Sequence, residues 1–371
     1  MYDGQTIGVV VPAHNEAGHV GTVIETMPAY VDRIYAVDDA STDGTWDEMR
    51  ASARRVNAGT AAARGASNGD AEREPRVVTV RHERNRGAGA AVKTGYACAL
   101  EDGMDVTAVM DGDGQMDPSR LDRILEPVTS GDATYSKGNR LASREDYESM
   151  SAWRLFGNVS LTLLTRISSG YWRLSDPQNG FTAISNAGLR TIGFERLYDR
   201  YGFLNHVLFA LNVNREPIAD VSHPAVYGDE TSGINYWTFV PRVSFLLGRS
   251  FLERLARSYV VRRFHPLVIC YLLGVTVALT GVAGGLYALS SPAVDSFLGG
   301  MVSVAVGALG GLLLVLGLWF DVSENEGLVR KVSYSRRHEI EHVDDVPDVS
   351  SGFEVYQDGG TTAASRDGDS E

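Results

Sequence analysis

Residues 33–45 read RIYAVDDASTDGT, a short apolar run that ends in three aspartates within six residues. The β-branched and aromatic side chains predict a strand, and the small polar residues after it predict a turn into a helix. Capping that helix needs only one carboxylate, so the additional negative charge indicates that hydroxyl or N–H groups of a ligand bind here. The stretch therefore predicts a ligand-binding turn at the end of a strand.

Short β-branched runs alternate with helical stretches over the first 235 residues. We predict strands at 7–11, 33–37, 77–81 and 106–110, and helices at 17–27, 45–56, 88–100 and 119–129. This alternation predicts an α/β domain, 1–235, with a largely parallel sheet whose ligands collect at the carboxyl ends of the strands. The polar stretch 57–75 has three glycines and no periodicity, and we predict that it is a surface insertion.

Polar clusters also follow the first and fourth predicted strands. After the first comes Pro12-Ala13-His14-Asn15-Glu16, in which Asn15 or Glu16 could simply cap a helix. The glycine fingerprint of dinucleotide-binding proteins is absent there, which argues against a nicotinamide dehydrogenase. After the fourth comes Asp111-Gly112-Asp113-Gly114-Gln115.

The second of these clusters predicts a divalent metal site. If the chain stays extended, Asp111, Asp113 and Gln115 share one face and offer three oxygen ligands to a hard cation. An EF-hand calcium loop would need glycine at its sixth position, where this chain has Met116. A simple acidic turn is the other alternative. A divalent ion bound both to these carboxylates and to a diphosphate would neutralise the charge that grows on a departing nucleotide.

Two uncharged runs of 24 residues each, 266–289 and 297–320, predict membrane-spanning helices. At 1.5 Å per residue each would be about 36 Å long, which is enough for a hydrocarbon core of about 30 Å. A pair of buried core helices is the alternative. Basic residues flank both runs and are absent from the short connection between them, so the positive-inside rule predicts a two-pass cell-membrane protein with both flanks cytoplasmic.

Between the first domain and these runs, segment 236–264 interleaves apolar residues with arginines. We predict one or two amphipathic helices in the lipid headgroup layer; a surface helix packed on the globular domain is the alternative. The net charge of −13 is concentrated at the C-terminus, and we predict that 322–371 is a cytoplasmic, largely disordered tail. The near-neutral remainder argues against nucleic-acid binding. Three lysines beside 31 arginines give a haloarchaeal-like composition, although GC-rich codons have the same effect.

Taken in order, four motifs resemble those of inverting family-2 glycosyltransferases of the GT-A fold: 11–16, 37–45, Asn85-Arg86-Gly87 with Gly95, and 111–115. Two more, 137–140 (KGNR) and 176–181 (DPQNGF), are similar to the branch of dolichol-phosphate mannose and polyprenyl-phosphate glucose synthases. The resemblance covers roughly residues 6–264, and a two-helix anchor also follows in this branch. A basic residue common in the family's loop before the interfacial helices is absent from 227–232 (YGDETS).

The resemblance implies a role for each matching residue. The nucleotide sugar would contact Pro12, His14, Asn15, Glu16, Asp38, Asp39, Gly87, Lys93, Asp111 and Gly112. Mg²⁺ or Mn²⁺ would bind Asp111, Asp113 and Gln115. The catalytic group would comprise Asp113, Asp176, Gln178 and Arg140. Because a lipid phosphate needs cationic donors at the membrane boundary, we expect it to contact Lys137, Arg140 and Arg154.

The expected reaction is transfer of one hexose, from a nucleotide sugar of the UDP-glucose or GDP-mannose type, to a polyprenyl (dolichyl) monophosphate with inversion. The product would be a lipid-linked sugar donor for glycan or protein glycosylation. The expected partners are the nucleotide sugar, the polyprenyl phosphate and membrane lipids, with no nucleic acid; a homo-oligomer is left open. A processive polysaccharide synthase is an alternative, but it would carry more membrane helices and a Gln-x-x-Arg-Trp element that this chain lacks. An inactive membrane scaffold is the other alternative.

Overall fold

The computed structural model describes residues 1–63, 74–140, 152–222, 236–291 and 295–332, and for 152–156, 158 and 236–242 it describes the backbone alone. The strands in chain order are β1 (Ile7–Ala13), β2 (Arg33–Asp38), β3 (Val77–Arg81), β4 (Val106–Val109), β5 (Tyr135–Asn139), β6 (Thr182–Ser185), β7 (Ile218–Ser222) and β8 (Val329–Val332). They form one sheet in the order β3-β2-β1-β4-β6-β5-β7-β8.

The helices surround this sheet and extend beyond it. In chain order they are α1 (Val20–Glu25), α2 (Thr45–Ala63), α3 (Ala88–Glu101), α4 (Leu121–Thr129), α5 (Ala152–Ser169), α6 (Asn186–Ile192), α7 (Phe203–Val213), α8 (Tyr236–Ala256), α9 (Leu267–Ser290) and α10 (Ser296–Asn325). The α/β prediction is confirmed.

Strands β1 to β4 form the parallel half of the sheet, and their register brings the polar turns together. Ala13 at the end of β1 pairs with Asp38 at the end of β2, and Asp38 pairs with Arg81 at the end of β3. The strands begin and end within two residues of the predicted bounds because β-branched runs are a strong local signal. The turns after β1, β2 and β3 therefore lie side by side at the carboxyl ends of these strands.

Helix α3 packs closely on β1 because it carries glycine at the contact. A Cβ atom at Gly95 would lie 2.3 Å from Cγ1 of Val10, so no larger residue fits there without a shift. The half of the sheet beyond β4 is mixed, since β6 runs antiparallel to both β4 and β5 while β5, β7 and β8 are mutually parallel.

Two predicted helices have different bounds in the structure. Helix α1 begins only at Val20, because Asn15 and Gly18 adopt positive φ angles of 60° and 93° and the chain turns there first. Helix α2 continues to Ala63, so the predicted insertion 57–75 is wrong for its first seven residues. The Asn57 side chain bonds the backbone N–H and carbonyl of Val77 and holds this end of the helix to β3. Residues 64–73 lie outside the described part.

The predicted tail 322–371 is also wrong at its beginning. Residues 322–325 complete α10, and Val329–Val332 form β8, which pairs in parallel with β7. The chain thus returns from its second long helix into the sheet of the first domain. Residues 333–371 lie outside the described part.

Segment 236–264 forms one helix, α8, extended by a π-helical turn at Arg257–Val261. One face packs on the domain: Leu247 is buried, and a Cβ atom at Gly202 would lie 2.5 Å from a methyl group of Leu246. The other face exposes Phe245, Leu252 and Val261, and Phe264, just after the helix, is also exposed. The first face fits the alternative of a surface helix packed on the domain, whereas a place in the lipid headgroup layer stays a prediction.

Helices α9 and α10 are long and apolar enough to span a membrane. They pack backbone to backbone, since a Cβ atom at Gly310 would lie 2.3 Å from the Ala278 nitrogen and one at Gly281 would lie 2.5 Å from the Gly307 nitrogen. Their outer faces expose large apolar side chains such as Leu272, Leu286, Leu312 and Trp319. This exposure does not fit a pair of core helices.

Candidate active site

The turns after β1 and β2 are joined by hydrogen bonds between their polar residues. The Asn15 N–H donates to Ser41 Oγ (3.0 Å), and Asn15 Oδ1 accepts from the Thr42 N–H (2.9 Å). The Glu16 N–H donates to Thr45 Oγ1 (2.7 Å). These bonds give Asn15 a structural role, because its side chain and backbone hold the two turns together.

His14 lies on the exposed side of the same turn, while the neighbouring Pro12 is buried. Its Nε2 atom is 3.0 Å from Nδ2 of Asn85 in the turn after β3. The imidazole is therefore accessible to a ligand, and Asn85 orients it from the neighbouring turn.

Asp38 is fully buried at the end of β2, and protein groups surround its carboxylate. Oδ1 accepts from the Ser41 N–H (3.1 Å), and Oδ2 lies 2.9 Å from Nε of Arg81. The Arg81 guanidinium lies 5.5 Å from the ring centroid of Trp46 and is 44% exposed. The group that faces solvent here is thus Arg81 stacked on Trp46, with Asp38 behind it.

Asp39 orders the turn that begins α3. Its carboxylate accepts from the backbone N–H groups of Arg86 (2.9 Å) and Gly87 (2.7 Å) and lies 2.7 Å from Nδ1 of His82. Burial opposes ionisation, but the hydrogen bonds from Arg86, His82 and Gly87 outweigh it and lower the pKa of Asp39. His82 is itself held by Thr94. The structure thus gives Asp39 protein partners where we expected ligand hydroxyls.

The Asp111–Gln115 segment turns instead of staying extended. Gly114 has a φ of 76°, and the Gln115 N–H donates back to Asp113 Oδ1 (2.9 Å). The assumption that period 2 places Asp111, Asp113 and Gln115 on one face is therefore wrong. The Gly112 N–H donates to the Pro12 carbonyl (3.0 Å), which fixes this turn beside the end of β1.

Asp111 is held against Gly180 in a strongly negative environment. A Cβ atom at Gly180 would lie 2.7 Å from Asp111 Oδ2, so only glycine allows this approach. Burial, together with the negative charges of Asp113 and Glu16, raises the pKa of Asp111 to about 7, although Arg140 opposes this shift. Adding a cation would relieve this repulsion, so the donor set fits a divalent ion. The described residues hold no group of three or more His, Cys, Asp or Glu arranged for a metal.

Arg140 and Asp176 form an ion pair beside these carboxylates. Arg140 Nε is 3.0 Å from Asp176 Oδ2, and the Arg140 side chain is 41% exposed while that of Asp176 is buried. Burial opposes ionisation of Asp176, but Lys137 and Arg140 outweigh it and lower its pKa. Asp176 thus stays ionised and orients Arg140. Gln178 donates to Asn205 Oδ1 (3.0 Å) in α7.

Residues 8–197 match the model of the family described as Glycosyl transferase family 2. The chain belongs to this family. Over 222 residues it is 26% identical to the UDP-N-acetylglucosamine–dolichyl-phosphate N-acetylglucosaminyltransferase of Methanococcus voltae, covering 60% of this chain and 86% of the relative. Over 180 residues it is 30% identical to the undecaprenyl-phosphate mannosyltransferase of Micrococcus luteus, covering 44% and 63%.

Solved structures that resemble this chain include the glucosyl-3-phosphoglycerate synthase of Mycobacterium tuberculosis, with 20% identity, a TM-score of 0.46 and coverage of 68% and 80%. A mannosyltransferase of Pyrobaculum calidifontis, solved with GDP-Man and Mn²⁺, has 14% identity, a TM-score of 0.40 and coverage of 83% and 87%. The mostly parallel mixed sheet is the GT-A fold of this glycosyltransferase family.

Two lysines in the family motifs have structural partners. Lys93 of α3 donates to the carbonyls of Glu195 (3.1 Å) and Leu197 (2.9 Å) and pairs with Asp199. Lys137 of β5 is fully buried and donates to the Asp176 carbonyl. Our expectation that Lys137 contacts an acceptor phosphate does not fit this burial, and Lys93 is used in holding the 195–199 segment.

Gly87 also has a packing role. Its φ is 101°, and a Cβ atom there would lie 2.7 Å from the Asp199 carbonyl oxygen, so the segment around Asp199 covers this end of α3. The Ala90 N–H donates to the same carbonyl (3.0 Å). A phosphate therefore has no open helix terminus here. The last acceptor residue, Arg154, lies in α5, but its side chain is outside the described part.

Sequence reasoning missed three residues of the candidate site. Arg81 and Trp46 form the exposed surface beside Asp38, and Asn205 holds Gln178. Arg81 could have been found, because it ends a predicted parallel strand and such ends gather at one edge. Asn205 could not, since it approaches the site from a helix that carries no family motif.

Proposed function

We propose that this chain transfers one hexose from a nucleotide sugar to a polyprenyl (dolichyl) monophosphate, with inversion, at the cytoplasmic face of the cell membrane. The observation that carries the proposal is the Asp111–Asp113–Glu16 cluster next to a half-exposed Arg140 in a family-2 domain. A negative cluster suits a metal-bound diphosphate, and a neighbouring arginine suits a second phosphate. The two named relatives, which act on dolichyl and undecaprenyl phosphates, support this acceptor class.

In this proposal Asp111 and Asp113 hold Mg²⁺ or Mn²⁺ with Gln115 adjacent, and the ion when bound neutralises charge on the leaving nucleoside diphosphate. The nucleotide rests on the turns that carry Pro12, His14 and Glu16. Arg81 and Trp46 lie beside Asp38 at the same end of the sheet and would border the nucleotide, and the sugar would lie towards Asp176 and Gln178.

The acceptor phosphate supplies the nucleophile. Its second pKa of about 6 leaves it largely ionised at neutral pH, so a strong general base is dispensable. Asp176, paired with Arg140, then serves to aim the guanidinium at that phosphate and does not need to accept a proton. Positioning and charge stabilisation supply the rate enhancement. Arg154 is proposed as a second cation for the acceptor.

The membrane location is part of the same proposal. Helices α9 and α10 would span the bilayer as a hairpin, and the exposed apolar face of α8 would lie in the headgroup layer. A processive synthase would need more spans to form a channel, whereas the ranges described here contain two. A scaffold role would not need the crowded carboxylates of Asp111 and Asp113.

The experiment that tests the proposal is a donor panel. The full chain in lipid vesicles is given polyprenyl phosphate, Mg²⁺ or Mn²⁺, and one labelled donor at a time: UDP-glucose, GDP-mannose or UDP-N-acetylglucosamine. We expect label from one donor to enter the organic phase in a polyprenyl-phosphate-dependent way. Absence of lipid-phase label with every donor would refute the lipid acceptor.

A further inference from the structure

One buried carboxylate joins the membrane-length hairpin to the glycosyltransferase domain. Asp321, near the end of α10, is fully buried, and Arg254 of α8 donates to both of its oxygens at 2.7 Å. Tyr259 OH donates to Oδ1 (2.8 Å), and Trp172 Nε1 donates to Oδ2 (3.2 Å). We call Arg254 and Asp321 the buried pair.

The buried pair also closes the end of α5. Arg254 Nε donates to the Ser168 carbonyl (3.1 Å), and Nη2 donates to the Ile167 carbonyl (2.9 Å). These carbonyls belong to the last turn of the helix, where backbone carbonyls have no N–H donor within the helix. A Cβ atom at Gly170 would lie 2.8 Å from Arg254 Nη1, so glycine makes room for the guanidinium.

The segment that leaves α5 at Gly170 leads directly to the site. Trp172 bonds Asp321 near its start, and six residues after Gly170 the chain reaches Asp176, which pairs with Arg140. We call residues 170–179 the linking segment. The buried pair holds its start and Arg140 its end. Between them, bonds from the Tyr171 hydroxyl to the Glu216 carbonyl, from Arg166 to the Leu174 carbonyl and from the Ser175 N–H to Asp220 attach it to the domain.

Stability alone gives a weak reason for an ion pair in this place. Desolvation offsets most of the attraction between buried charges, and apolar residues of similar volume often replace such a pair without loss of stability. The two parallel bonds of an arginine–carboxylate pair do impose a defined mutual orientation. The arrangement therefore suits positioning better than stabilisation.

We propose that the buried pair is a positioning device that sets the linking segment relative to the two membrane-length helices. Through that segment it fixes Asp176 and Arg140 at the place where a lipid phosphate meets the sugar donor. Neither member of the pair contacts a substrate. The inference rests on the proposed function in that the acceptor is a membrane lipid.

The test compares two replaced ion pairs in the full chain in lipid vesicles. The first variant combines Arg254→Met with Asp321→Leu; the matched control combines Arg55→Met with Glu25→Leu, an exposed pair far from the linking segment in sequence. Nucleotide-sugar affinity, kcat, the KM for polyprenyl phosphate and hydrogen exchange of 170–179 are measured. We expect the first variant to keep donor affinity within about twofold, raise the acceptor KM about tenfold and speed exchange in the linking segment. The control should behave as wild type.

A milder variant covers the case in which the first does not fold. Trp172→Phe keeps an aromatic ring but removes the indole N–H that bonds Asp321, and we expect intact donor affinity with a smaller rise in acceptor KM. An unchanged acceptor KM and unchanged exchange in either folded variant would overturn the proposal. Equal losses of donor affinity and kcat with an unchanged acceptor KM would also overturn it, because they indicate a purely structural role.

The result is distinguishable from failure of the proposed function. If wild-type protein transfers no sugar to any polyprenyl phosphate, the proposed function fails. The buried pair is then judged by exchange and donor affinity: faster exchange of 170–179 with intact donor affinity supports positioning, and unchanged exchange overturns it.

Discussion

At the scale of single residues, the proposed donor site depends most on Asp111 and Asp113. Burial and the neighbouring charge of Asp113 together raise the pKa of Asp111 to about 7. A bound divalent ion would stabilise both in their charged forms. In the proposed function these two side chains therefore serve to bind the metal ion more than to stabilise the fold.

Replacing either carboxylate by its amide should abolish turnover and preserve the fold. Asp111→Asn or Asp113→Asn keeps the shape while weakening the metal site, so we expect a loss far beyond tenfold with an unchanged melting temperature. Asp117→Asn is the matched control, because the Asp117 carboxylate bonds only residues of its own turn, the Ser119 N–H and hydroxyl and the Arg120 guanidinium. Retention of more than about a tenth of the wild-type rate, roughly 1.4 kcal/mol in barrier height, would exclude the metal assignment.

Gly180 gives a second test at this scale. In Gly180→Ala the new methyl group would meet Asp111 Oδ2 at 2.7 Å and displace the carboxylate, so we expect turnover to fall at least about tenfold. Gly59→Ala in α2 meets no atom within 4 Å and should leave turnover unchanged while stabilising the helix by about 0.5–1 kcal/mol. Wild-type kinetics in Gly180→Ala would show that the position of Asp111 is not critical.

At the scale of elements, β8 ties the hairpin back to the sheet. Its four residues pair with β7, and Val329 is buried. A chain ending at residue 328 loses this edge strand, whereas one ending at Val332 keeps it. We expect the shorter chain to melt at a clearly lower temperature in detergent, by at least about 4 °C, since even 1 kcal/mol shifts the midpoint of a domain of this size by about 2–4 °C. Equal melting temperatures would mean that the pairing contributes nothing.

How far the sequence predicts these elements depends on how local their signals are. Strands β1 to β4 are β-branched runs between turns, and they were predicted to within two residues. Strand β8 was missed because four residues carry little pattern and its pairing partner β7 lies about a hundred residues earlier. The burial of Arg254 was missed for a similar reason, since its partner Asp321 lies 67 residues away.

The candidate site, like the elements, could be predicted from the sequence only where its signals are local. The rule that strand ends gather at one edge predicted which motifs lie together, and they do. It could not predict that Asp39, Lys93 and Lys137 are bonded to protein partners, because those partners come from turns and helices distant in sequence.

At the scale of the whole molecule, the proposed topology places the domain and β8 on the same side of the membrane. Protease added outside sealed cells or right-side-out vesicles should leave the domain uncut, and only the connection at 290–296 should be reachable. Inside-out vesicles are the control, in which the domain becomes accessible. Cleavage within the domain from outside would mean that the protein has the opposite orientation. Cleavage only after Val332 would mean that one of the two helices does not span the membrane.

Sugar transfer to a lipid monophosphate is best tested by varying only the acceptor head group. The full chain in vesicles receives its preferred labelled donor with polyprenyl phosphate or with the matching free polyprenol, beside Asp113→Asn as the inactive control. We predict that label enters the lipid phase only with the monophosphate and only with wild-type protein, and that mild acid releases the free sugar. Equal labelling of the free polyprenol would contradict a phosphate acceptor, and equal labelling by Asp113→Asn would contradict catalysis at the proposed metal site.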